Sequence, residues 1–475
     1  MTISRRQILA GFSSIGAAAL IGCGPRSDQG RKDADVIVIG AGLSGLHAAL
    51  MLEAAGLSVI VVEAADRIGG RMMTLDHLPG APEAGGQQVG QTYARVRARA
   101  AEAGLEFAPF PPNGYGQVLA LGDDLIAAED WADHPANGLP EAWRSIPPTR
   151  LFFSLAARAN PFEDVYAWMD EAAAASDIAA RDWLVGQGAN EEALRLMEVA
   201  LNARDLSTYS MLNLFRSLAI YAQERGLGGS ERLTGGSQRL PEAMAATLAG
   251  DVRLNSAVGA IEADEGGAMA QMQDGARLRS DFIVSSLPFP VLRGLAVDAP
   301  FSPRQRDAVG EMAYTPIVQL HLEAETPWWE RDGLPPEMWT DSALERVFAQ
   351  RAADGAPTGN LVCWLDGLGG LSADAMADAE LQAMAQSELA RLRPASEGRV
   401  RLRHVQRWTA SNALAGGAYM HYQPGQAPAW GGKISDPAGR LHLAGEHMGE
   451  LHTGMEAAME AGERAALQIL EAAGA

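Results

Sequence analysis

An α/β fold built on a parallel sheet is predicted by three features of the chain. These are an unbroken β-branched run entering a glycine-rich turn, a second apolar run ending on an acid, and a strand–turn–helix pattern near the C-terminus. The first run, Val36-Ile37-Val38-Ile39, is apolar at every position, as strands buried on both faces are, and leads into Gly40-Ala41-Gly42-Leu43-Ser44-Gly45. In such a turn Gly40 permits the tight bend, Gly42 lets backbone N–H groups approach a pyrophosphate, and Gly45 lets the next helix pack close to the strand. Leu43 and Ser44 open that helix with its positive end toward the phosphates, and Gly56 ends it after about Ala55. The second strand, Leu57 to Val62, ends at Glu63, spaced to accept hydrogen bonds from an adenosine ribose and to repel a 2′-phosphate. Glycine is so common here, 52 of 475 residues, that the glycine pattern alone is weak, and the strand–helix–strand–acid context is what makes it a Rossmann-like dinucleotide-binding unit.

The continuation separates one dinucleotide from another. Glu63-Ala64-Ala65-Asp66-Arg67-Ile68-Gly69-Gly70-Arg71 resembles the signature of the flavin amine oxidases, the family of monoamine oxidases, L-amino acid oxidases and bacterial nicotine oxidoreductase. Three further segments match in family order. Gly85-Gly86-Gln87-Gln88-Val89-Gly90, followed by Tyr93 to Gly104, is similar to the second glycine turn near the isoalloxazine. Thr234-Gly235-Gly236-Ser237-Gln238-Arg239-Leu240-Pro241 resembles the return to the FAD domain, with Val258 where the family's valine meets the adenine. Leu443-Ala444-Gly445-Glu446-His447, then Gly454-Met455-Glu456 through Ala466, resembles the C-terminal FAD motif.

The resemblance implies FAD as cofactor and a monoamine oxidase-like architecture, a Rossmann-like FAD-binding domain interleaved with an α+β substrate domain. Residues 33–105, 230–300 and 400–475 are expected in the first, and 106–229 and 301–399 in the second. Leu441 to Leu443 should form a short strand, Gly445-Glu446 its turn and Met455 onward a helix whose positive end stabilises charge at the flavin N1 and O2 side. Glu446 is expected to accept hydrogen bonds from ribityl or phosphate-side hydroxyls.

Residues 1–32 read as an export signal and tether. Ser4-Arg5-Arg6-Gln7-Ile8-Leu9 begins a twin-arginine-like signal, and Ile8 to Ile21 is too short and too rich in small residues for a membrane span. That route carries proteins already folded around a cofactor, which points to the bacterial periplasm. Leu20-Ile21-Gly22-Cys23 resembles a lipobox, so Cys23 is either a lipid-anchored first residue or an ordinary cysteine of a discarded signal. Net charge −21 and a pI near 4.9 argue against nucleic acid as a partner and suit a basic protein. With two cysteines, Cys23 and Cys363, and no His-Glu-x-x-His pattern, no metal site is expected.

The substrate side follows the family and departs from it. Trp408, Ala415-Gly416-Gly417-Ala418-Tyr419 and Tyr422-Gln423-Pro424-Gly425 resemble the segment carrying one wall of the monoamine oxidase aromatic cage, with Tyr419 as the cage aromatic. Ala418 stands where the family's flavin-bonding cysteine would be, which implies non-covalent FAD, and Gly454 stands where the opposite cage aromatic would be, which opens room. Counting back from Trp328-Trp329, the lysine that favours reaction with oxygen in many members is replaced by Gln319, which carries no charge to stabilise developing superoxide. Trp408, Tyr419 and Gln319 are thus the expected reaction-site residues. The implied chemistry is hydride transfer from the α-carbon of a small amine to flavin N5, giving an imine that hydrolyses to an aldehyde or ketone. Oxygen, a cytochrome c or a quinone is the acceptor, and a homodimer fits the reading. No arginine lies in a motif matching the carboxylate clamp of L-amino acid oxidases, which favours an amine without a carboxylate. Two alternatives stand beside this: a carbon–carbon desaturase or protoporphyrinogen oxidase-like enzyme on the same FAD framework, and a non-catalytic flavin-binding lipoprotein.

Overall fold

In the computed structural model the described residues are 32–110, 118–199, 201–351 and 356–474. The expected export signal and Cys23 lie outside them. Strand β1 (Val36–Ile39), helix α1 (Leu43–Ala54) and strand β2 (Val59–Val62) form the predicted unit, and every residue of both strands is buried. β1 lies at the centre of a five-stranded sheet ordered 441–443, 282–285, β1, β2, 252–253. All four pairings are parallel, with Val36 opposite both Val59 and Phe282. Strands from distant parts of the chain therefore close one sheet, which interleaves the two halves of the molecule.

The helix Gly454–Ala473 covers α1 and buries Ala457, Ala461, Ala465, Ala466 and Ile469. Small residues are required because the two backbones touch: a Cβ on Gly462 would sit 2.3 Å from the Ser44 carbonyl oxygen. On the other side of α1's first turn, a Cβ on Gly45 would sit 2.1 Å from the Gly40 carbonyl oxygen, the close approach expected of the third motif glycine.

A second sheet has seven strands in the order 400–408, 317–324, 357–366, 346–351, 338–340, 118–121, 124–126. Alternation along Ile317–Ala324 gives it two characters. Val318, Leu320, Leu322 and Ala324 share a core with Leu381, Ala385 and Leu389 of the helix Asp378–Leu392. Ile317, Gln319 and His321 take the opposite face, where Gln319 is in register with Trp364 on one side and Gln406 on the other. Helices Pro148–Ala159, Glu191–Glu198 and Met211–Ala222 pack Leu151, Leu194 and Phe215 around Trp339 of the same sheet.

Two boundaries differ from those read in the sequence. Val400–Trp408 pairs along its length with Ile317–Ala324 and so belongs to the second sheet, which moves the start of the last dinucleotide segment from 400 to beyond Trp408. Phe107–Pro109 pairs with Glu231–Leu233 and carries the first segment past 105. Neither pairing has a local sequence signal, since each is fixed by a partner elsewhere in the chain.

Gly462→Ala should lower stability by about 1–3 kcal/mol through the forced separation of α1 from the C-terminal helix. Thermal unfolding checks this, and an unchanged melting temperature would show that the two helices have room to spare.

Candidate active site

The phosphate end of the expected cofactor site is built from backbone. Gly42 caps α1 without a side-chain hydrogen bond and no acid stands in the first turn, so the leading N–H groups and the positive helix end are uncompensated. A Cβ placed on Gly42 would meet nothing within 4 Å, which is the open cradle a pyrophosphate requires. Ser44 is buried beside it, and its hydroxyl has no partner among the described residues. Glu63 accepts the N–H groups of Ala41 and Ala65, both at 2.8 Å, so it ties the turn as well as ending β2. A carboxylate has about four acceptor positions, which leaves two for ribose hydroxyls. Val258 opens the strand Val258–Ala263 and is buried.

The second glycine turn is fixed by an acid that sequence reasoning did not single out. Glu83 accepts the Ser237 N–H at 2.8 Å, the Ser237 hydroxyl at 2.6 Å and the Thr74 hydroxyl at 3.0 Å, and burial raises its pKa. Gly86 packs over Met72 with φ +79°, and Gln87 is exposed.

Three matched segments meet at Arg71. Its Nη1 donates to Glu446 at 3.0 Å and to the Ala418 carbonyl at 2.8 Å, while the other Glu446 oxygen accepts the Met420 N–H at 3.0 Å. The expected role of Glu446 toward cofactor hydroxyls is therefore joined by a structural one. Met455 stands in the first turn of the C-terminal helix, half-buried. Glu456 beside it is fully buried and accepts the N–H groups of Arg95 and Val96 at 3.0 and 3.1 Å, so its charge serves the start of the helix Ala94–Glu102. The His447 ring packs tilted at 57° against Phe289 with centroids 4.1 Å apart, and burial with Arg71 and Arg464 nearby holds its pKa well below the usual range, so it is neutral.

On the substrate side, Trp408, Ile317 and Ala415 form a buried nest against which Trp364, Ala418 and Tyr419 pack. The Trp408 indole N–H is spent on the Ala84 carbonyl at 2.8 Å and the ring is 5% exposed, so Trp408 offers a packing surface and a tie to the second glycine turn, not a free polar group. Tyr419 is half-buried and donates its hydroxyl to Asn202 Oδ1 at 3.2 Å. Burial raises its pKa well above the ordinary phenol value. Gln319, 1% exposed, has its Oε1 3.2 Å from His321 Nε2, where it accepts from the Nε2–H tautomer; His321 is neutral, its pKa pushed down to about 3 by burial. A Cβ on Gly454 would meet only the Tyr93 hydroxyl, at 3.8 Å, so the position expected for the opposite cage aromatic is open. Among the described residues no group of acids, cysteines and histidines could hold a metal ion.

Behind Tyr419 lies a cluster that no sequence motif announced. Arg346 Nη2 lies 2.5 Å from Asp366 Oδ2 and 3.3 Å from Asn202 Oδ1, and the Asp366 N–H donates to Glu345 at 2.8 Å. Burial raises the pKa of both acids; for Glu345 the neighbouring Asp366 adds to it, and its pKa is pushed up to about 8.

The profile of the family described as flavin-containing amine oxidoreductase matches residues 43–470. The chain belongs to that family. It is 26% identical over 455 residues to a putative flavin-containing monoamine oxidase of Mycobacterium tuberculosis, covering 92% of this chain and 96% of the relative. It is 24% identical over 466 residues to an L-amino acid dehydrogenase of Synechocystis, covering 92% and 94%. The structure of cyclohexylamine oxidase from Brevibacterium oxydans superposes with a TM-score of 0.75 at 24% identity, over 93% of this chain and 100% of that one. The protein is an FAD-dependent oxidoreductase of the amine-oxidising class. The open cradle at Gly42, the unpartnered Ser44 hydroxyl and the spare acceptor positions of Glu63 fit that cofactor.

Because the folded-state pKa of Glu345 is raised, the folded protein holds a proton that the unfolded chain releases between pH 4.5 and about 8. Its contribution to stability is present at low pH and is lost as pH rises through that window. Glu345→Gln should flatten the fall in melting temperature between pH 5 and 8; an equal fall in the variant would assign it to other groups.

Proposed function

We propose that this enzyme oxidises a neutral amine lacking a carboxylate, at a non-covalently held FAD, and hands its electrons chiefly to an acceptor other than oxygen. The observation that carries the reading is the placement of Tyr419, half-buried on the Trp408 nest and one residue from the Ala418 carbonyl held by Arg71. Bound FAD would supply the two-electron acceptor for hydride from the amine's α-carbon. The chain supplies the rest. Tyr419 offers an aromatic face that orients the amine and excludes water, which favours the neutral base over a solvated ammonium. Trp408 backs that face. The imine released into water hydrolyses to an aldehyde or ketone.

Three observations support the finer points. The only cysteine among the described residues, Cys363, is buried with its thiol pushed up to about 12, and position 418 is alanine, which favours non-covalent FAD. Arg346 is already paired with Asp366 and so is poorly placed to receive a substrate carboxylate. Gln319 has the neutral His321 behind it, so no positive charge from these two groups favours superoxide. A cytochrome c or a quinone fits such a site, and an L-amino acid dehydrogenase among the relatives accords with it. The twin-arginine-like N-terminus supports work in the periplasm, with Cys23 as the candidate lipid anchor.

Anaerobic mixing with primary, secondary and heterocyclic amines should bleach the flavin of the holoenzyme, and recovery on admitting air should be slow. Gln319→Lys should speed that recovery by about tenfold or more. Fast recovery in the unaltered enzyme would make it an ordinary oxidase, and no bleaching by any amine would overturn the substrate class.

A further inference from the structure

Asn202 lies between two helices of the helical layer, far in sequence from any flavin motif, yet its bonds converge on Tyr419. It has φ +59°, a left-handed conformation that asparagine tolerates better than most residues. Its side-chain Oδ1 lies 3.2 Å from the Tyr419 hydroxyl and 3.3 Å from Arg346 Nη2. Arginine has donors only, so the asparagine atom facing it is the carbonyl oxygen and the tyrosine hydroxyl must be the donor. That proton is directed at Asn202, which leaves the ring face, not the hydroxyl proton, for the substrate.

Asn202 is itself held from behind. Its N–H donates to Asp366 Oδ2 at 3.2 Å, and its carbonyl accepts the Thr315 hydroxyl at 3.2 Å. Thr315 in turn donates its N–H to the Tyr419 carbonyl at 2.9 Å and accepts the Ala418 N–H at 2.9 Å. Main chain and side chain of Tyr419 are thus fastened to one closed ring of hydrogen bonds. Arg346 braces that ring from outside through Asn202 Oδ1, its guanidinium 2.5 Å from the fully buried Asp366 side chain and 5.9 Å from the ring centres of Trp364 and Phe348.

We propose that Asn202, held by the Arg346–Asp366 pair, is the positioning residue that fixes the Tyr419 ring against the substrate. The inference rests on the reading of Tyr419 as the substrate-facing aromatic. Its consequence is that the orientation of this wall is set by the helical layer and the second sheet together, so that a change remote from the flavin motifs alters the rate of amine oxidation.

The test is a cycle of Asn202→Gly and Tyr419→Phe in the holoenzyme, with Tyr419→Ala as reference. Glycine keeps the left-handed backbone and its two main-chain bonds while removing the side chain and with it the acceptor Oδ1 shared by Tyr419 and Arg346; phenylalanine keeps the ring and deletes the hydroxyl. Each single change should lower the limiting rate of anaerobic flavin reduction by about tenfold, with a much smaller change in the amine concentration for half-maximal rate. FAD content should be retained. The double variant should be no slower than either single one, because both remove the same bond. Independent, multiplying losses would overturn the proposal, as would full-rate Asn202→Gly and Tyr419→Phe enzymes beside a slow Tyr419→Ala. A full-rate Tyr419→Ala would instead overturn the assignment of Tyr419 itself. Should Asn202→Gly not fold, Tyr419→Phe alone decides: the tenfold loss supports the bond, and a full rate refutes it.

Discussion

One ion pair, Arg71 with Glu446, joins the parts of this molecule that must agree on the position of a cofactor. Arg71 ends the segment that follows β2, and Glu446 follows the edge strand Leu441–Leu443, 375 residues further on. Through the Ala418 carbonyl and the Met420 N–H the same pair grips both sides of Tyr419. Its side chains are 23% and 10% exposed, so neither charge is well hydrated, and removing one partner would strand the other at a cost of about 3–5 kcal/mol in a fully buried setting and less here. Tyr314 lies under the guanidinium at 5.7 Å, which further restricts it.

Around that junction the protein seats acids on backbone donors and keeps three buried histidines neutral. Glu63, Glu83 and Glu456 each accept main-chain N–H groups that close a turn or start a helix. His321, His421 and His447 are held uncharged by burial. The result is a poorly hydrated frame tied by buried hydrogen bonds, which suits a reaction in which the cofactor does the redox chemistry and the protein provides orientation and dryness.

How much of this could be read in advance depended on the range of the interactions. The unit from Val36 to Glu63 was legible because its signals are local: β-branched strands, glycines at fixed offsets, an acid at the strand end. The C-terminal strand, turn and helix were legible for the same reason. The strand Val400–Trp408 fell in the expected FAD-binding segment from 400 because only its partner Ile317–Ala324 decides where it goes. The Trp408 N–H was invisible in the same way, its acceptor being Ala84. Asn202, Arg346 and Asp366 carry no spacing pattern at all, since three elements bring them together. Local chemistry named the cofactor, and long-range register built the wall beside it.

The most direct test of this account is the flavin content and the anaerobic amine-reduction rate of Glu446→Gln, which keeps an acceptor for the Met420 N–H and removes the charge facing Arg71. The account predicts that both fall together, because one junction holds the cofactor motif and the Tyr419 segment. Full flavin retention with an unaltered reduction rate would contradict it, and would place the weld between cofactor and substrate sites elsewhere in the fold.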